Sequence, residues 1–313
     1  LGWLGDGESD VEDQPTVLAQ FTFTYLSGNR IDKQTVTNLF AQALGDLEAG
    51  GNARAASPYQ LTSRGRAARL TGLSTGSVRR LELAIERGRR GWLSDLSDVS
   101  EISSELSEQM ARIVFESTEV FSNSLWLRRT SRSRDSEELR LLRAFGEQLS
   151  NEHHGSEEFN ADIQLLSGWI LGRSYRELAM DAPIYDNANS LFGGTQDHKR
   201  TSDATEYIGK ITYPSAWTWS ALQVLLEADD LLVPGFLRDS LEYGLPYESA
   251  TMLVRRGRLT RAGAMQVIEI AGSNSDDIRD WLSNEDELIR WDNRFTRLDA
   301  KRLRDLHEAT LAE

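Results

Sequence analysis

Residues 59–80 read YQLTSRGRAARLTGLSTGSVRR, and the fold assignment turns on how this stretch divides. Ser57, Pro58, Tyr59, Gln60, Leu61 and Thr62 read as a short strand. Thr62 and Ser63 then lead into Arg64, Gly65 and Arg66, the start of a basic helix. Upstream, Pro15 and Thr16 open an apolar-periodic run to Leu26, broken by Ser27, Gly28 and Asn29. Asp32 can cap a second helix carrying Val36, Leu39, Phe40, Ala43, Leu44 and Leu47 on one face. Gly50, Gly51 and Asn52 form a loop. Two helices, a short extended piece and a basic helix make a winged-helix unit with a small β wing.

From Ser74 onward the pattern is helical almost throughout. Helices are expected over 74–90, 98–129, 135–152, 157–171, 174–180, 201–212, 215–229, 234–244, 247–257, 260–271, 276–291 and 298–311. Pro246 sits at a helix start, and Gly257 and Gly272 close two of these segments. Few segments alternate with period two, so any sheet is small. The expected class is mainly α: a disordered acidic N-terminus over 1–14, a winged-helix domain over 15–95, a helical bundle over 96–273 and an acidic helical extension over 274–313.

The 313 residues include no cysteine, which excludes disulfides, thiolate metal sites and cysteine nucleophiles and suits an intracellular, cytoplasmic chain. No apolar run approaches the ~20 residues of a membrane span. The first residues lack a secretory pattern and a methionine, which suggests a processed chain or a fragment of something longer. The net charge is −14, yet residues 61–90 hold Arg64, Arg66, Arg69, Arg79, Arg80, Arg87, Arg89 and Arg90 against Glu82 and Glu86. Such a local basic segment is either a nucleic-acid footprint or a solvated arginine face.

No catalytic site is recognisable. The glycine-containing stretches at 73–77 and 192–195 lack the lysine of a phosphate loop. His153 and His154 are adjacent, so they cannot share a metal on one helix face. His198 and His307 form no triad pattern. Basic and aromatic residues do interleave: Tyr207, Lys210, Tyr213, Trp217 and Trp219 fall within thirteen positions. Aromatic faces can stack on unpaired bases while a lysine meets phosphate. The competing reading is that Tyr207, Ile211, Trp217 and Leu222 fill a core. Trp217 and Trp219, two apart, cannot share a helix face. Farther on, two short helices flank a turn with Arg255, Arg256, Gly257, Arg258 and Arg261. This is similar to a helix-hairpin-helix, in which backbone N–H groups hold a phosphate, although the turn is longer than the usual hairpin.

In order and spacing these elements resemble the C-terminal region of superkiller-like superfamily 2 DEAD/DEAH-box helicases. Residues 59–80 are similar to the strand and helix that end the winged helix of that family. Residues 165–179, LLSGWILGRSYRELA, resemble its Trp-Ile-x-Gly-x-Ser helix pair. Residues 203–226 resemble its long ratchet helix, and 234–271 its final helices with an EYGLP turn. The likeness covers about 15–272, with Pro214 and the long 181–200 loop as departures. It implies a ratchet domain around one translocating single strand of DNA or RNA. Lys210 and Trp217 would lie at bases and phosphates, with Tyr207 and Trp219 as alternates. It also implies a RecA-like motor, in cis or on a partner chain, that binds ATP and Mg outside these residues. The alternative expectation is a helical protein-interaction scaffold of a defence or repair complex. A third is a winged-helix transcription factor on duplex DNA.

Overall fold

The computed structural model describes residue 42 and residues 45–51, 53–54, 60–88, 92–121, 157–181, 196–228, 230–284, 290–291 and 293–312. The expected disordered N-terminus, the helix ending at Leu26, the helix over 135–152, the 153–154 histidine pair and the glycine stretch at 192–195 lie outside these residues.

Strands β1 (Ala53–Arg54) and β2 (Gln60–Leu61) pair antiparallel, Ala53 opposite Leu61 and Arg54 opposite Gln60. Helix α1 (Ser63–Thr71) follows at once, because Thr62 caps it. The Thr62 hydroxyl accepts from the Gly65 amide at 3.2 Å and donates to the Gly51 carbonyl at 2.8 Å. Gly72 ends α1 in the left-handed region, φ 71°, where a side chain would be strained. Helix α2 (Thr75–Gly88) then buries Val78, Leu81 and Ile85.

A 3-10 turn (Trp92–Asp95) leads to α3 (Ser104–Val114), followed by α4 (Glu157–Ile170), α5 (Tyr175–Asp181) and α6 (Gln196–Glu227). The chain continues as α7 (Gly235–Tyr243), α8 (Glu248–Arg255), α9 (Arg261–Ala271), α10 (Ser275–Ser283) and α11 (Arg297–Ala312). The described residues are thus mainly helical. No helix among them is long and apolar enough to cross a membrane.

Four expected helices change. The run over 98–129 starts only at Ser104, because Glu101 bridges Tyr247 and Ser103 is an extended cap. It also breaks after Val114, at a turn through Phe115, Glu116 and Ser117. The helices expected over 201–212 and 215–229 are one, with Pro214 inside. Proline has no N–H to contribute to the helix ladder and costs about 3 kcal/mol in a helix interior. Ile211, Ala216, Trp219 and Leu222 are fully buried around it, and each large apolar side chain returns roughly 1.5–3 kcal/mol. Burial therefore outweighs the breaker. Finally, α10 stops at Ser283, with Asn284 extended, instead of running on to 291.

Helix α6 is the hub, packed by α1, α2, α3, α4, α5 and α7. One apolar core runs from Ala67 to Leu241, and a second from Leu245 to Leu303. Packing divides the described residues near 242–244, whereas the sequence reading put boundaries after 95 and 273.

Candidate nucleic-acid interface

The periodicity of α6 sorts its aromatic residues by face. Tyr207 and Trp219 point inward and are buried. The Tyr207 hydroxyl donates to the buried Asp162 carboxylate, and Trp219 packs on Trp92 with centroids 6.4 Å apart. Neither ring presents a face to a strand in this structure, so both belong to the core. The opposite side of the helix carries Lys210, Tyr213 and Trp217, spaced i, i+3 and i+7. Lys210 and Tyr213 are exposed and Trp217 is half-buried. The Tyr213 and Trp217 rings lie 5.4 Å apart at 51°. The Trp217 Nε1 atom is buried without a hydrogen-bond partner, which leaves ring carbon as the exposed part. Tyr213 was seen in the sequence but not among the expected contacts. Its spacing from Lys210 and Trp217 was the available signal.

The hairpin-like turn is built differently. Helix α9 begins at Thr260, whose hydroxyl accepts from the Gly263 amide at 3.0 Å. The Asp299 carboxylate of α11 lies at this helix start. It accepts from the Thr260 amide at 2.8 Å, the Thr260 hydroxyl at 2.7 Å and the Thr296 hydroxyl at 2.9 Å. A β-carbon on Gly263 would come within 2.7 Å of the Asp299 carboxyl carbon, so glycine is what lets the acid approach. Burial pushes the Asp299 pKa up. The Thr260 amide and hydroxyl, the Thr296 hydroxyl and the charge of Arg302 more than offset this and hold it below the ordinary aspartate value.

Arg261 is engaged inside the protein. Its guanidinium lies 4.2 Å over the Trp169 ring. Its Nε donates to the Gly244 carbonyl at 2.9 Å and an Nη to the Arg173 carbonyl at 2.7 Å. Burial lowers its pKa, opposed by Tyr175 and Glu177, though an arginine stays charged at any working pH. At this turn the Thr260 amide is answered by an internal acid, and Arg261 is held by an internal stack. Arg255 pairs with buried Asp239 at 3.1 Å while remaining largely exposed. Arg256 and Arg258 are exposed.

The basic segment is also partly answered by the fold. Arg64 donates through Nε to Glu82 at 2.7 Å and through Nη1 to the Gly50 carbonyl at 2.8 Å. Arg87 pairs with Glu116 at 3.2 Å, and Arg80 donates to the Thr118 hydroxyl. Arg66 and Arg79 are exposed, and Arg89 and Arg90 lie outside the described residues.

A second acid does for α2 what Asp299 does for α9. Glu119 accepts from the Ser74 amide at 2.8 Å, the Ser77 hydroxyl at 2.5 Å and the Ser117 hydroxyl at 2.9 Å. Burial raises its pKa, but these bonds outweigh burial and hold it below the ordinary glutamate value. The stretch at 73–77 thus ends on a protein carboxylate. His307 is buried, its Nδ1 2.5 Å from the Leu282 carbonyl and its ring edge-on to Trp291. Among the described residues, no group of three or more His, Asp or Glu is placed to hold a metal ion. Compared with known proteins, the chain matches no family model, no curated protein and no solved structure.

Proposed function

We propose that this chain is the strand-guiding C-terminal region of an ATP-dependent superfamily 2 helicase, with ATP and Mg handled by a RecA-like motor outside it. The observation that carries the reading is the outer face of α6. A helix that organises a whole core has solvent-facing aromatic and cationic side chains at Lys210, Tyr213 and Trp217. Two rings and a cation along one line suit the stacked bases and phosphates of a single strand better than the regular backbone of a duplex. The β1–β2 ladder running directly into α1 and α2 supports a winged-helix reading of the preceding unit.

The test is fluorescence anisotropy with single-stranded DNA and RNA at low and rising salt, with and without a superfamily 2 motor. Salt-sensitive binding to single strands, weaker on duplex, is expected. No binding at low salt under either condition would sink the proposal.

The alternative, a helical protein-interaction scaffold, draws support from exposed apolar side chains: Leu70 on α1, Leu83 on α2 and Met180 on α5 are 64%, 49% and 68% exposed. A protein partner retained after nuclease treatment would favour it. A partner lost with nuclease would return the assignment to the strand-guiding reading.

A further inference from the structure

The boundary between the two apolar cores is bridged mainly by polar contacts. The Ile102 amide donates to the Pro246 carbonyl at 2.8 Å, and the Glu248 amide to the Ser100 carbonyl at 3.0 Å, around the Glu101–Tyr247 bridge. On the bundle side of the boundary, the Trp169 indole N–H donates to the Leu241 carbonyl at 3.1 Å, both residues belonging to the first core. Gly244 turns the chain at φ 67° against the Trp169 ring, where a β-carbon would collide. Over the same ring lies Arg261, which also reaches the Gly244 and Arg173 carbonyls. One side chain of the second unit thus grips three elements at the boundary: the end of α4, the α4–α5 turn and the turn after α7. Apolar contact is made where Met265 and Pro246 face Gly172.

The second unit, in contrast, closes on itself. Asp299 ties α11 to α9, His307 ties it to the end of α10, and Gln266 reaches the Arg294 carbonyl at 2.8 Å. Ser249 donates to the Ser273 carbonyl at 2.7 Å. Its core includes Leu253, Val267, Trp291 and Leu303. A unit with its own core, joined to its neighbour through a set of polar contacts, is built to move as a body.

We propose that residues 245–312 form a module that undocks from the α6 bundle as a rigid body, and that Arg261 is the latch holding it docked. The guanidinium suits the role because its planar donors reach two carbonyls while its face covers an indole, a combination that a lysine cannot reproduce. Releasing it leaves, among the described contacts, the Glu101–Tyr247 bridge with its two backbone hydrogen bonds, the Arg255–Asp239 ion pair at 3.1 Å and the Met265 contact. The inference does not depend on nucleic acid.

The chain lacks cysteine, so Arg66→Cys on α1 and Lys301→Cys on α11, both exposed positions, allow clean spin-label distance measurements on the full chain. The parent should give one narrow distribution. Arg261→Ala should broaden it and displace its mean by more than about 2 Å, with helical circular dichroism retained. Arg261→Lys should fall between the two. A distribution as narrow as the parent's in both variants would overturn the latch. If Arg261→Ala does not fold, Arg261→Lys decides in the same terms. If neither folds, Arg261 belongs to one cooperative core and the module does not exist.

Discussion

The α6 face and the α8–α9 turn offered the same raw material in sequence, cations beside groups able to meet a strand. The fold treats them oppositely. On α6 the chain spends its inward rings, Tyr207 and Trp219, on the core and leaves Lys210, Tyr213 and Trp217 outside. At the turn, the Thr260 amide and hydroxyl face Asp299, and Arg261 is folded onto Trp169. A cationic or N–H-rich motif is available to a ligand only after the protein's own acids and rings have been counted.

The sharpest way to break this contrast is at Asp299. Asp299→Ala leaves the Thr260 amide and hydroxyl and the Thr296 hydroxyl without their common acceptor in a buried place. Loss of roughly 2–3 kcal/mol in chemical denaturation is expected. A loss under about 0.5 kcal/mol would mean that water or phosphate replaces the acid readily, and the turn would again be a binding site. On the other side of the contrast, Trp217→Ala should weaken single-strand binding about tenfold, within the ~1–3 kcal/mol of one stacked base. Trp217→Phe should recover most of it. Trp219→Ala should act through stability, since its ring is buried against Trp92.

The two capping acids also set a pH dependence. Glu119 and Asp299 have folded pKa values below their ordinary ones. Their stabilisation is therefore complete above the ordinary carboxylate range and is lost as pH falls through the folded values. A fall in melting temperature beginning below about pH 4 is expected. Asp299→Asn should start lower and fall less steeply there. An acid limb unchanged in that variant would show that other carboxylates govern it.

Helix positions and caps were largely legible in the sequence. The placement of α9 followed from its apolar periodicity over 260–271 and the glycine after it, both local signals, while the Thr260 cap is seen in the structure. The fused α6 was not legible, because Pro214 is a local breaker and the burial that overrides it comes from helices distant in sequence. The same holds for the turn: Asp299 lies 39 residues beyond Thr260, and no local pattern announces that the two meet. At the α6 face, spacing alone separated Trp217 from Trp219. Which of them faces outward was decided by what packs beneath the helix.

The smallest expected effect sharpens the contrast from the side of the turn. Arg258 is exposed and holds φ 55°, a region that strains a non-glycine residue by about 1–2 kcal/mol. Arg258→Gly removes that strain, and the greater freedom of glycine in the unfolded chain takes back roughly 0.4–1 kcal/mol. The net change in stability should stay within about 1 kcal/mol. What the substitution does remove cleanly is a charge. If the turn contacts the strand only through exposed guanidinium groups, affinity at about 0.15 M salt should change by less than about twofold, because screened surface charges contribute little at that ionic strength. Lys210→Ala, by comparison, should flatten the salt dependence of single-strand binding by about 0.7 in log–log slope, the signature of one lost phosphate contact. A larger loss from Arg258→Gly than from Lys210→Ala would reverse the ranking of the two regions and move the strand path from α6 to the turn.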